Sequence, residues 1–120
     1  MATHKNLEKF KLFEDWEISI ACQDGSKAAL DLTGGAVRFR LSDLGRTVLL
    51  LDMTSPDGVR IIDAPGGRAV IEIDKARQQA ATIQAGPYRY EIEAVLADGT
   101  PSIQAEGQLT VQPSLFAAFP

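Results

Sequence analysis

The chain has 120 residues, 45% of them hydrophobic and 23% charged, and its 16 acidic residues outweigh 12 Lys and Arg for a formal net charge of −4. A chain of that size buries roughly two-thirds of its unfolded surface around one core, so residues 1–120 read as a single domain with its core at about 12–112. The acidic surplus speaks against a general nucleic-acid binder, which needs a basic face, and against adhesion to anionic membranes.

Cys22 is the one cysteine, so no internal disulfide forms and the core alone must hold the fold, as suits a reducing compartment. The start, Met-Ala-Thr-His-Lys-Asn, leads into no apolar segment, and no run approaches the ~18 apolar residues of a membrane span. The expectation is cytoplasmic synthesis without a signal peptide.

Residues 1–9 are polar and read as frayed. Leu7, Phe10 and Phe13 suit a short helix, whereas Lys9-Phe-Lys-Leu12 suits a strand, and the two readings stay open. Trp16, Ile18, Ile20 and Cys22 alternate on one face of a strand. Gln23-Asp-Gly-Ser26 turns the chain, Ala28–Leu32 is expected to continue the edge, and Asp31-Leu-Thr-Gly-Gly35 turns it again. In the next strand Val37, Phe39 and Leu41 point inward while Arg38 and Arg40 point outward. Thr47–Met53 is almost continuously apolar and predicts a central strand covered on both faces. Ser55-Pro-Asp-Gly58 and Ala64-Pro-Gly-Gly67 are turns on either side of a short strand, Val59–Asp63, and a further strand runs over Arg68–Ile73.

Asp74–Ala81 is the one convincing helical patch, with Asp74 as its N-cap. Gly86-Pro-Tyr-Arg-Tyr follows, with Tyr88, Tyr90 and Ile92 on one strand face and Arg89, Glu91 and Glu93 on the other. In immunoglobulin-like sandwiches a Tyr at the start of strand F ties down the E–F corner, two residues before a core position held by Cys in antibodies. Tyr88 fits the first role and Tyr90 the second. After the Asp98-Gly99 hairpin, Ile103, Ala105, Gly107, Leu109 and Val111 form the inward face of a last strand, and Leu115, Phe116 and Phe119 mark an apolar tail. The pattern is an all-β, immunoglobulin-like antiparallel β-sandwich of roughly seven to eight strands with one short helix in the E–F connection.

No residue set carries chemistry. His4, the sole histidine, has no sequence partner for catalysis or metal binding. Cys22 reads as a buried thiol, and the Asp-Gly pairs at 24–25, 57–58 and 98–99 read as turns rather than calcium loops. No catalytic, cofactor or metal residue is expected, and the protein reads as a non-enzyme. The candidate partner contacts are Trp16, the Arg38/Arg40 stripe, and the tail residues Leu115, Phe116 and Phe119, since exposed apolar clusters and outward charge mark interaction surfaces.

Three segments in order, Asp31-Leu-Thr-Gly34 with Ala36-Val-Arg-Phe39, Ala85-Gly-Pro-Tyr-Arg-Tyr-Glu-Ile92, and Glu106-Gly-Gln-Leu-Thr-Val111, resemble the immunoglobulin-like domains of phage and prophage tail or baseplate proteins, and in particular the N-terminal domain of baseplate upper proteins. Glu14-Asp15-Trp16 departs from the Gly-Asp start usual there. The resemblance implies structural work without catalysis: assembly or subunit contact in a virion tail. The expected partners are other protein subunits, tail or baseplate proteins among them, with a homo-oligomer as a further option. The alternative is a carbohydrate- or peptide-binding β-sandwich module, which would need exposed aromatics on a flat face or in loops, for which Trp16 and the tail residues Phe116 and Phe119 are the candidates.

Overall fold

The computed structural model describes residues 3–119, the side chains of Thr3, His4, Glu8 and Lys9 excepted, so the reading of His4 as a site lies outside the described residues. Strands β1 (Thr3–His4), β2 (Leu7–Lys11), β4 (Ala36–Asp43), β5 (Leu49–Thr54), β8 (Gly86–Val95) and β9 (Pro101–Gln112) form one sheet. Its order is β1-β9-β8-β4-β5, and β2 also lies on β9. Strands β3 (Trp16–Ala21), β6 (Val59–Asp63) and β7 (Arg68–Ile73) form the other, in the order β3-β7-β6. With β3, β4, β5, β6, β7, β8 and β9 lettered B, C, C′, D, E, F and G, this is the two-sheet arrangement of an immunoglobulin domain. The fold is therefore an immunoglobulin-like β-sandwich.

The strands β1 and β2 run parallel to β9 on successive stretches of it, Thr3 opposite Ala105 and Leu7 opposite Leu109. They act as one edge strand interrupted at Lys5-Asn6. The interruption has a fitting piece opposite: a Cβ on Gly107 would fall on the Lys5 carbonyl. The N-terminal residues expected to fray are thus tied into the sheet, and of the two readings left open the strand is the one observed.

Alternation decides the core. Val37, Phe39 and Leu41 of β4 are fully buried, and Tyr90, Ile92 and Ala94 of β8 face them. The Phe39 and Tyr90 rings stack at 6.3 Å between centroids. Trp16 packs on Phe10 at 5.4 Å, closing the sandwich where β2 crosses the start of β3. Each fully buried side chain of this size stabilises the fold by roughly 1.5–3 kcal/mol.

Three expectations need correction. The apolar run at 47–53 is not a central strand: β5 is the sheet's edge, with Val48 and Leu49 more than half exposed and only Leu51 and Met53 buried. Apolarity reports burial on a face and carries no information about strand order. The chain leaves β5 through Ser55–Gly58 for the opposite sheet, so among the described residues nothing pairs on its outer side. Ala28–Leu32 adds no strand; a single bridge joins Gln23 to Ala29, and Leu32 plugs the core from a loop. In β9 the inward face breaks at a bulge, since Ile92 pairs with Ala105 and Glu93 with Ile103. Gln104 is the extra residue there and turns into the interior, while Ile103 comes to line a small surface hollow among Arg38, Arg40, Glu91 and Glu93.

Candidate interaction surfaces

The E–F connection contains the expected helix, α1 (Lys75–Ala80), and Asp74 caps it by accepting from the Arg77 amide at 2.8 Å. Tyr88 does what its position predicts. Its hydroxyl donates to the Gln84 carbonyl and accepts from the Gln84 amide, both at 2.9 Å, closing the corner through Gly86. Tyr90 is buried, and its hydroxyl donates to the Lys5 carbonyl at 2.6 Å, so it pins the interrupted edge strand to the core. Burial first, and then Glu106, push its phenol pKa up. Of the expected corner residues Gly86, Tyr88 and Tyr90, Tyr88 closes on Gln84 beside Gly86, while Tyr90 serves the core and the N-terminal edge instead.

Sequence reasoning missed the residue that fastens this corner to the rest. Gln78 on α1 is fully buried, accepts from the Phe13 amide at 2.7 Å, and donates to the Glu14 carbonyl at 2.6 Å and to the Ile73 carbonyl at 3.3 Å. One side chain thus joins the β2–β3 turn, strand β7 and the helix. A Gln within a Lys-Ala-Arg-Gln-Gln-Ala helix looks solvated, and only the inward phase of position 78 could have flagged it. Gln104 is similar: at the bulge it accepts from the Gln23 amide at 2.7 Å.

The outward face of the larger sheet carries the expected charge ladder with an additional member. Register sets Arg38 opposite both Glu93 and Thr54, and Arg40 opposite both Glu91 and Asp52. Asp52 lies 3.2 Å from Arg40 and 3.5 Å from Arg38, and Glu93 lies 3.8 Å from Arg38. The hydrogen bond and charge of Arg40 hold the Asp52 carboxyl below its ordinary range. Such exposed pairs contribute about 0.2–1 kcal/mol each and keep the two arginines engaged within the domain.

Trp16 does not offer a contact surface. It is 2% exposed, and its indole nitrogen donates to the Lys11 carbonyl at 2.8 Å. The inward phase that Trp16 shares with Ile18 and Cys22 places it in the core, which corrects its reading as a candidate contact. The tail behaves oppositely. Ser114 caps a single helical turn, α2 (Leu115–Ala118), accepting from the Phe116 amide at 3.2 Å. Leu115, Phe116 and Phe119 are 76%, 85% and 79% exposed. This second helix lies beyond the one the sequence predicts.

The tail has company. Among the described residues the other large exposed hydrophobics are Leu44, Val48, Leu49 and Ile62. Leu44 and Val48 belong to the β4–β5 hairpin and Leu49 begins β5. In the sheet register Leu49 lies opposite Ser42, Ser42 opposite Arg89, and Arg89 opposite Gln108. The hairpin therefore projects from the end of the sheet at which β9 runs out into the tail. Its turn is rigid: the Asp43 carboxylate accepts from the Thr47 and Val48 amides and from the Thr47 hydroxyl, which lowers its pKa.

An open cleft of about 820 Å³ lies between the β3 and β7 ends and the β5–β6 turn, lined by Asp15, Glu17, Arg60, Glu72, Asp74 and Arg77 among others. Its cations are engaged internally, Arg60 with Glu72 at 3.2 Å and Arg77 with Asp57 at 2.7 Å. Cys22 is fully buried, and burial pushes its thiol up to about 11. At the Asp-Gly pairs Asp24 and Asp98 accept from amides of their own turns, and Asp57 pairs with Arg77. Among the described residues no group of three or more His, Cys, Asp or Glu is arranged to hold a metal, and no helix is long and apolar enough to cross a membrane.

No protein-family model matches the chain. It is 36% identical over 69 residues, 53% of its length, to an alanine–tRNA ligase of Cereibacter sphaeroides (strain ATCC 17025 / ATH 2.4.3). The match spans 8% of that ligase. Among solved structures the chain is similar to murine CRIg, with a TM-score of 0.41 and 11% identity over 91% of this chain and 92% of that one.

Proposed function

We propose that this domain is a non-enzymatic structural or assembly protein that works through contacts with other protein subunits, as a component of a phage or prophage tail or baseplate. The observation that carries the assembly reading is the apolar end: Leu115, Phe116 and Phe119 in the tail and Leu44, Val48 and Leu49 in the hairpin stand in water on a fold whose core is otherwise closed. Large apolar side chains exposed together at one end of a domain mark a partner site. The tail or baseplate assignment draws its support from the ordered segments Asp31–Phe39, Ala85–Ile92 and Glu106–Val111. The buried ring of Trp16 takes away one aromatic on which a carbohydrate-binding reading would stand and leaves it the tail Phe116 and Phe119 alone.

The test is co-expression with the genes that flank its own. The expected result is co-purification with tail or baseplate proteins, lost when Phe116 and Phe119 become Asp. Flanking genes unrelated to tails, together with no co-purification, would refute the tail assignment.

A further inference from the structure

We infer that the apolar end is a self-association surface: a second copy of this chain docks there in a two-fold arrangement that crosses the tail of each copy onto the β4–β5 hairpin of the other. The inference rests on the reading of the domain as an assembly protein and names the first partner of that surface.

Area supports it. Six exposed side chains, Leu44, Val48, Leu49, Leu115, Phe116 and Phe119, are 45–85% exposed. At 150–250 Å² for an aromatic and somewhat less for a Leu or Val, they present on the order of 600 Å². A standard interface buries roughly 800 Å² per partner, somewhat over half of it apolar, so the patch suffices for one.

Layout supports it too. The patch has two parts, carried by β9 and β5, which are three strand spacings or about 14 Å apart. A two-fold contact requires that whatever the first part touches on the partner, the partner's first part touches in return. Two separated apolar parts satisfy this when tail meets hairpin twice.

Charge is compatible with the crossed pairing. Phe116 shares a shallow hollow with Leu12, Phe13, Glu14 and Lys75, and Lys75 sits over the Phe13 ring at 5.4 Å. Glu14, on the tail side, and Arg46, on the hairpin, have no ion-pair partner among the described residues. The crossed arrangement brings the Glu14 of one copy toward the Arg46 of the other, with Lys75 of the same hollow held over the Phe13 ring.

The test is sedimentation velocity of the full chain over a concentration series up to ~100 µM, with Phe116→Asp and Leu49→Asp made singly and together. Both side chains are exposed, so at concentrations where the parent is monomeric both variants keep its melting midpoint. The expected result is a monomer–dimer equilibrium that each single variant weakens at least about 10-fold, the double variant losing less than the product because both act on one contact. A parent chain that stays monomeric overturns the proposal, as does a dimer indifferent to either substitution or sensitive to one alone. Co-purification with tail proteins is a separate readout. A monomer that still joins a tail assembly sinks the self-association and leaves the assembly function standing, whereas a dimer that joins no assembly does the reverse.

Discussion

The E–F corner and the C-terminal tail are both short, helix-bearing segments at the margin of the same sandwich, yet they are built in opposite ways. The corner is fastened. Asp74 caps α1, Tyr88 closes on Gln84, and Gln78 holds three separate segments through one amide. The tail is capped by Ser114 alone and leaves Leu115, Phe116 and Phe119 in water. Buried polar side chains that reach every partner make a joint rigid. Apolar side chains without an internal partner leave a surface for something else to cover. The difference separates what holds the domain together from what the domain offers.

Substitutions can break that comparison, and they rank by size. Trp16→Ala removes the side chain that closes the sandwich against Phe10 and should cost about 3–5 kcal/mol in chemical denaturation, enough to threaten folding in a domain of this size. Gln78→Ala comes next. It leaves the Phe13 amide and the Glu14 carbonyl without their partner, at about 1–3 kcal/mol for each buried group left unsatisfied. A denaturation midpoint like the parent's would show that water replaces the amide and that the corner is not fastened there. Tyr88→Phe should cost about 1 kcal/mol, since it removes one hydroxyl that serves the Gln84 amide and carbonyl together. Phe116→Asp belongs to the other side of the comparison and should leave the midpoint unchanged in dilute protein, where the chain is monomeric.

Cys22 gives a pH signature for the fastened half. Its folded pKa of about 11 stands above the ordinary 9.0 because burial disfavours the thiolate. The folded state thus binds this proton more tightly than the unfolded state. The associated stability is complete below about pH 9 and is lost as pH rises toward 11. Stability measured across that interval should fall in the parent and fall less in Cys22→Ala. In the native protein at pH 8 the thiol should resist a disulfide reagent that labels it readily once unfolded.

Much of the fold was legible because alternation is a local signal. Val37-x-Phe39-x-Leu41 and Tyr88-x-Tyr90-x-Ile92 state their inward faces directly, and the Tyr corner follows from one residue type at one offset. Strand order is not local. The run Thr47–Met53 has the composition of a covered strand, but its place at the edge depends on where the chain goes after Ser55-Pro-Asp-Gly58. The bulge at Gln104 was equally hidden, because one inserted residue moves Ile103 to the other face without altering composition. Of the candidate contacts, the tail was readable as three large apolar residues past Pro113. Trp16 was misread because an aromatic in core phase serves packing before it serves a partner. The hairpin half of the apolar end escaped notice, since Val48 and Leu49 were assigned to the interior.

The central claim, that the fastened corner holds the fold while the apolar end is reserved for a partner, is tested most directly by amide hydrogen exchange at low and high protein concentration. The account predicts that amides of residues 115–119 and 44–49 gain protection at high concentration, while those of α1 and Gln84–Tyr90 stay protected and unchanged. Protection of the tail that does not depend on concentration, or a change centred on the E–F corner, would contradict it.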